Sequence, residues 1–157
     1  PDHPVAIRVP AVALETTGQA DTTDYGDLNK NQVVHQGSKV AIFGVGNLLG
    51  LAKQAAAKLA EEGVDATVIN PRYLTGLDTE LLYQLHVDHQ VVVTLEDGIL
   101  EGGYGQTIAS YLGDSAVRVQ NYGLQKAYPD RYDVNELLAQ NGLTADNIAQ
   151  QALKALN

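Results

Sequence analysis

The 157 residues carry nineteen Asp and Glu against ten Lys and Arg, a formal charge of −9, with no Cys and no Met. That charge repels nucleic-acid phosphates and anionic lipid headgroups, so neither is expected as a partner. Without thiols there is no disulfide frame and no thiolate metal site, which fits a reducing, cytoplasmic setting. No apolar run approaches the roughly 20 residues needed to span a bilayer, and the first residues have neither the basic nor the apolar region of a secretory leader. The absence of any Met fits a piece of a longer protein.

Val5-Ala6-Ile7-Arg8-Val9 alternates as a strand does and stops at Pro10, which cannot donate to a ladder. From Ala11 to Asn31 the chain is rich in Thr, Asp and Gly without a sustained period and reads as a linker. The expected organisation is therefore a remnant last strand of a preceding domain over 1–10, a linker over 11–31, and one domain over 32–157.

Within that domain, Gln32 to His35 reads as a short edge strand. Gly37-Ser38 is expected to turn it into Lys39 to Phe43 as an antiparallel hairpin. Leu48, Leu51, Ala52, Ala55, Ala56, Leu59 and Ala60 fall on one helical face, and Gly63 supplies the stop. Ala66 to Asn70 reads as a strand, Asp78 to Leu85 as a short helix, and Gln90 to Leu95 as a strand whose unbroken apolar run requires burial on both faces. Gly105 to Leu112 is a helix entered through glycines, and Ala116 to Gln120 the last strand. Asp133 with Glu136 marks a helix start ended by Gly142, and Thr144 opens a final helix to Leu156. Short strands alternating with helices define a three-layer α/β/α domain. Its mixed sheet has about five strands, mostly parallel with one antiparallel edge strand.

Five segments invite chemistry. Gly44-Val45-Gly46-Asn47-Leu48-Leu49-Gly50 follows a strand and opens a helix, where backbone N–H groups can hold a phosphate. Its third glycine comes one position late, and the next strand ends in Asn70-Pro71 instead of an acidic residue, so a tight strand-to-helix turn is preferred to dinucleotide binding. His86-Val87-Asp88-His89 offers two imidazoles but no third metal ligand nearby, and a solvent-facing turn is expected. Glu96-Asp97, at the end of the most apolar strand and before Gly98, Gly102, Gly103 and Gly105, could be an acid–base pair. Adjacent strand residues face opposite ways, however, so helix capping or a subunit contact is preferred. Arg72 in Asn70-Pro71-Arg72-Tyr73 and Arg131 in Tyr128-Pro129-Asp130-Arg131-Tyr132 could hold a small anion, with solvated turns as the plainer reading.

Taken together, Val40-Ala41-Ile42-Phe43-Gly44-Val45-Gly46, Ala66 to Tyr73 with Leu77-Asp78, and Val93-Thr94-Leu95-Glu96-Asp97 with Gly102-Gly103-Tyr104-Gly105 resemble the last domain of the transketolase superfamily. The tail resembles the end of 1-deoxy-D-xylulose-5-phosphate synthases: Tyr122-Gly123-Leu124, Glu136-Leu137-Leu138, and Asn141 to Ile148. The resemblance implies a structural, dimerising domain that is not catalytic by itself. The implied partners are the upstream domains of the same polypeptide, which would hold thiamine diphosphate and magnesium, and a second copy in a homodimer. It also implies a substrate-phosphate role for Arg8. The family's Arg-Tyr-Pro-Arg-Gly is here Arg8-Val9-Pro10-Ala11-Val12, so Ala11 replaces the second arginine, and Gln125-Lys126 replaces a usual Pro-Asp. Gly44, Gly46, Asn47, Arg72, Glu96, Gly102, Gly103 and Tyr104 remain candidates for an anion site or an interface. A transketolase or 2-oxoacid dehydrogenase beta-subunit domain, or a free-standing module for a nucleotide or small anion, are the alternatives.

Overall fold

The computed structural model describes residues 3–7 and 29–157. Five strands form one sheet in the order β1-β3-β2-β4-β5. These are β1 (Gln32–His35), β2 (Lys39–Gly44), β3 (Thr67–Asn70), β4 (His89–Ile99) and β5 (Arg118–Leu124). β2, β3, β4 and β5 are mutually parallel, and β1 runs antiparallel on the edge. The helices are α1 (Leu49–Glu61), α2 (Thr79–Asp88), α3 (Tyr104–Tyr111), α4 (Val134–Gln140) and α5 (Ala145–Leu156).

Strand periodicity sends alternate side chains to two cores. Val40, Ile42, Val68, Val91, Val93 and Leu95 meet α1 and α5, whereas Ala41, Phe43, Ile69 and Val92 meet Leu82 and Leu85 of α2 and Ile108 of α3. The continuous apolar run in β4 is thus buried from Val91 through Leu95, as a central parallel strand requires. The chain leaves β2 toward β3 and returns across the sheet to β4 before going on to β5. The crossovers therefore wind in opposite directions on either side of the β2/β4 junction, with α1 on one face and α2 and α3 on the other.

The helix ends follow local chemistry. Gly63, at φ 79°, lets the Val64 N–H reach Leu59 C=O at 2.9 Å and its own N–H reach Ala60 C=O at 3.0 Å, closing α1. Asp78, Asp133 and Thr144 accept backbone N–H bonds at the starts of α2, α4 and α5.

Three expectations are corrected. β1 does not form a hairpin with β2: it pairs with β3, which lies between them. The three-residue link passes beneath the chain leading into β3, where a Cβ on Gly37 would stand 2.2 Å from Asp65 O and the Ser38 N–H bonds that same oxygen at 2.8 Å. The domain's contacts also begin before residue 32. Asn29, in the left-handed region at φ 67°, accepts from the Thr75 hydroxyl, and the Asn31 N–H donates to Asp78. Finally, Val5–Ile7 forms no strand, and Val5 and Ile7 are exposed, because a strand needs a paired neighbour. The rest of that run, and most of the expected linker, lie outside the described residues.

Candidate functional site

In a doubly wound sheet, a ligand crevice opens outside the carboxyl ends of the strands where the winding reverses. Here that point lies between β2 and β4, and the sheet register sets Gly44 beside Leu95. The Val45 N–H donates to Leu95 C=O at 3.0 Å, tying the loop after β2 to β4. Gly44 needs to be glycine for packing: a Cβ there would meet Leu49 Cα at 2.6 Å and Leu48 O at 2.8 Å. Gly46 differs, at φ 56° with no described residue within 4 Å of where its Cβ would stand. With Asn47 it stands exposed at the start of a 3₁₀ turn, Gly46–Leu48, that leads into α1. Among the described residues no side chain caps that start.

Glu96 follows Leu95 and, sharing the parity of Val92 and Thr94, faces α3. Although buried, its carboxylate is fully engaged: the Tyr104 N–H donates to one oxygen at 2.8 Å and the Gly105 N–H to the other at 2.7 Å. These are free N–H groups of the first turn of α3, whose N-cap is Gly103 and has no side chain to satisfy them. Gly103 is small because a Cβ there would lie 2.9 Å from both Glu96 oxygens. Gly102, at φ 75°, makes the turn into the helix and donates its N–H to Gln106 at 2.8 Å. A carboxylate at a helix N-terminus is stabilised by both the bonds and the helix dipole, so Glu96 acts here as the cap of α3.

Tyr104 packs edge-on against Phe43 with ring centroids 6.5 Å apart. Its hydroxyl accepts from Asn31 Nδ2 at 3.3 Å, and burial pushes its phenol pKa up, so it stays neutral. Arg72 is exposed two residues beyond β3, its guanidinium 5.8 Å from the Tyr73 ring. It makes no ion pair among the described residues. The fold thus joins Glu96, Gly102, Gly103 and Tyr104 into one unit, sets Gly44, Gly46 and Asn47 beside it, and leaves Arg72 apart. Arg8 lies outside the described residues.

The His86–His89 segment corrects another expectation. His86 is exposed on α2, but His89 is the first residue of β4 and is 95% buried, being 5% exposed. Its Nε2 is 2.8 Å from Thr67 Oγ1, which also accepts the Gly37 N–H at 3.0 Å. With the Thr67 hydroxyl donating to Nε2, the ring proton sits on Nδ1, which has no partner among the described residues. Among the described residues no three His, Asp or Glu side chains converge to hold a metal. The alternation of polar and apolar residues around 86–89 could not reveal this, because His89 is buried through its partner in β3.

Burial lowers the His89 pKa from 6.5, with Asp88 opposing. A His whose folded pKa is depressed keeps its full contribution above the unfolded value and loses it as pH falls from 6.5 toward the folded value. Thermal unfolding followed from pH 8 to 5 should show the melting temperature falling below about pH 6.5. His89→Gln, which keeps a partner for Thr67, should flatten that fall; an unchanged slope would assign the pH dependence elsewhere.

Asn31, Asp78 and Lys30 went unnoticed in the sequence as site neighbours. With Glu80, Leu81 and Gln84 they line a shallow polar depression of about 170 Å³. Lys30 is paired there with Glu80 at 2.7 Å and Asp78 at 3.6 Å, so its charge is already compensated. Only the capping role of Asp78 was legible from sequence, since Lys30 and Asn31 come from a stretch with no period.

A doubly wound sheet with glycine-lined loops at the carboxyl ends of its strands places the chain among the α/β domains. The chain belongs to the transketolase C-terminal domain family, whose pattern it matches over residues 29–148. It is similar to the 1-deoxy-D-xylulose-5-phosphate synthase of Dehalococcoides mccartyi, 32% identical over 160 aligned positions that cover 98% of this chain and 24% of that protein. The enzyme of the same description from Microcystis aeruginosa is 36% identical over 130 positions, covering 82% of this chain and 20% of that protein. The chain therefore spans about a quarter of the length of these relatives. Among solved structures, an inactive β4 tetramer of a split-gene transketolase aligns with TM-score 0.72 and 29% identity, over 82% of this chain and 41% of that one. No helix among the described residues is long and apolar enough to cross a membrane.

Proposed function

We propose that this chain is the C-terminal domain of a thiamine-diphosphate-dependent transferase of the 1-deoxy-D-xylulose-5-phosphate synthase type, which joins pyruvate to glyceraldehyde 3-phosphate. Its part is to hold the enzyme and its homodimer together rather than to catalyse. The observation that carries this reading is 32% identity to such a synthase across 98% of the chain. In this reading residues 1–10 pair as a last strand only against a preceding domain, a linker follows, and the terminal domain of a cytoplasmic enzyme opens with the contacts of Asn29 and Asn31.

The residues present do not fit thiamine diphosphate or magnesium. The sequence has no Gly-Asp-Gly…Asn-Asn run, and among the described residues no carboxylates and imidazoles gather for a metal. Both groups therefore belong to the upstream domains. Arg8 would reach the substrate phosphate across the domain junction, without help from Ala11. The loops bearing Gly44, Gly46, Asn47, Arg72, Glu96, Gly102, Gly103 and Tyr104 would serve contacts rather than chemistry.

Calorimetric titration of the 157-residue chain with thiamine diphosphate and Mg²⁺ should give no binding heat, whereas the full-length protein should bind both and condense pyruvate with glyceraldehyde 3-phosphate. Micromolar binding by the chain alone would overturn the structural role. The likeness to a split-gene transketolase favours, as a second reading, the same position in a true transketolase. Ketose-phosphate donors in place of pyruvate separate the two.

A further inference from the structure

Every residue from Gln125 to Glu136 is exposed, and α4, into which that stretch runs, has no buried residue. Of the α4 side chains, Leu138 packs half-buried against the core shared by α1 and α5. The polar tie is made at the helix end by Asn141. Its Oδ1 accepts the Gln125 N–H at 3.0 Å, and its Nδ2 donates to Leu137 C=O at 2.8 Å. One amide thus fastens the start of the exposed stretch to α4 and satisfies a carbonyl of the last helical turn.

The residue after it is glycine for a separate reason. Gly142 stands at φ 76°, the left-handed position that ends α4. Its N–H bonds Ala139 C=O at 3.0 Å, and the Leu143 N–H bonds Leu138 C=O at 2.9 Å. The two demands set an amide side chain directly before a residue with no Cβ. No other Asn in the sequence precedes a glycine. Without a Cβ to obstruct it, the Gly142 nitrogen can reach the Asn141 Cγ once the turn is released.

We propose that Asn141-Gly142 is a self-modifying site, at which asparagine is converted to aspartate or isoaspartate under the control of α4. The Gly142 amide gives its proton to solvent and its nitrogen attacks Asn141 Cγ. A Cγ–N bond forms, the Cγ–Nδ2 bond breaks, and Nδ2 takes up a proton and leaves as ammonia. Water then opens the cyclic imide. Cleavage at Cγ gives aspartate, and cleavage at the Asn141 main-chain carbonyl gives isoaspartate. No oxidant or reductant is needed.

In the folded domain both reacting groups are held, the nitrogen by its bond to Ala139 and the side-chain amide by Gln125 and Leu137. The reaction therefore waits for the last turn of α4 to open, and a short exposed helix opens at far lower cost than the cores beneath it. The product cannot restore the tie. Aspartate keeps an acceptor for Gln125 but has no N–H for Leu137, and it sets a negative charge at the carbonyl end of a helix. Isoaspartate adds a methylene to the main chain, which puts the Gly142-to-Ala139 bond out of register. Conversion thus loosens the stretch from Gln125 through α4.

The test is peptide mapping by tandem mass spectrometry of the 157-residue chain held at mildly alkaline pH, folded or in urea. Trypsin releases residues Tyr132 to Lys154 as one peptide, in which Asn135 and Asn147 are internal controls. Acid should accumulate at Asn141 ahead of both, severalfold more slowly in the folded chain than in urea. Asp133→Ala removes the cap of α4 and should speed conversion in the folded chain about fivefold, the factor equivalent to the roughly 1 kcal/mol that a capping side chain is worth. Equal rates in the folded chain and in urea, or an unchanged rate in Asp133→Ala, would overturn control by α4. A folded chain that stays amide at Asn141 while the urea sample converts would overturn the site itself. Asn141→Asp reads the consequence directly: trypsin should cut the folded variant at Lys126 and Arg131 severalfold faster than the parent, and equal cutting would overturn the loosening.

Discussion

Glu96→Ala should lower the stability of the 157-residue chain by roughly 3 kcal/mol, because two buried N–H groups lose their acceptor and each such loss costs about 1–3 kcal/mol. The two groups are those of Tyr104 and Gly105, which bond the two carboxylate oxygens at 2.8 and 2.7 Å. Among the described residues no other side chain caps α3, since its N-cap is Gly103. The loss of Tyr104 from its place is felt further on, because its ring packs on Phe43 in the core beneath α2 and α3. Glu96→Gln removes the charge and turns one acceptor into a donor facing an N–H, so about 2 kcal/mol is expected from a charge-assisted bond of this kind. Urea unfolding of the three proteins checks both values. Full-length Glu96→Gln should keep its turnover at temperatures where it stays folded. A collapse of turnover with stability unchanged would instead make Glu96 an acid or base.

How far the sequence reaches is shown by that same strand. The run from Val91 to Leu95 could only be a buried strand, and the alternation beyond it correctly separated Glu96 from Asp97. The expected strand nevertheless stopped at Leu95, whereas β4 continues to Ile99. Its extension is stabilised by pairing with Leu124 of β5 after a register shift, a contact between residues far apart in sequence. β5 was misplaced for the same reason: it begins at Arg118 and continues through the Tyr122-Gly123-Leu124 stretch that sequence reading assigned only to a family tail. Periodicity located the helices well, because their ends are set by local residues: Gly63 closes α1, and Asp78, Asp133 and Thr144 open α2, α4 and α5. It could not say which strand β1 would pair with, since the choice between β2 and β3 lies in how Gly37 fits against the chain at Asp65. The burial of His89 and the docking of Asn29 to Asn31 were hidden likewise, each depending on a partner thirty or more residues away or across the sheet.

The two glycines of the loop after β2 should behave very differently, and the contrast decides what that loop is for. Gly44→Ala would drive a methyl group to within 2.6 Å of Leu49 Cα, 2.8 Å of Leu48 O and 2.9 Å of Ala52 Cβ. Two of those atoms are backbone and the third is a side chain with no rotamer to move, so α1 must lift off β2. Overpacking of this kind costs about 3 kcal/mol or more. Gly46→Ala meets no atom of the described residues within 4 Å and suffers the left-handed conformation at φ 56°, which costs a non-glycine residue roughly 1–2 kcal/mol. Guanidinium unfolding curves of the two variants should therefore separate clearly, with Gly44→Ala the worse. Packing alone explains the glycine next to the sheet, because that is where the helix comes closest to the strand. A phosphate-cradling loop would reverse the ranking in one respect: Gly46→Ala would abolish an anion-induced rise in melting temperature that the parent chain displays with inorganic phosphate. If the parent shows no such rise and Gly44→Ala is the more damaging change, the Gly44 to Asn47 turn serves to seat α1 against the sheet.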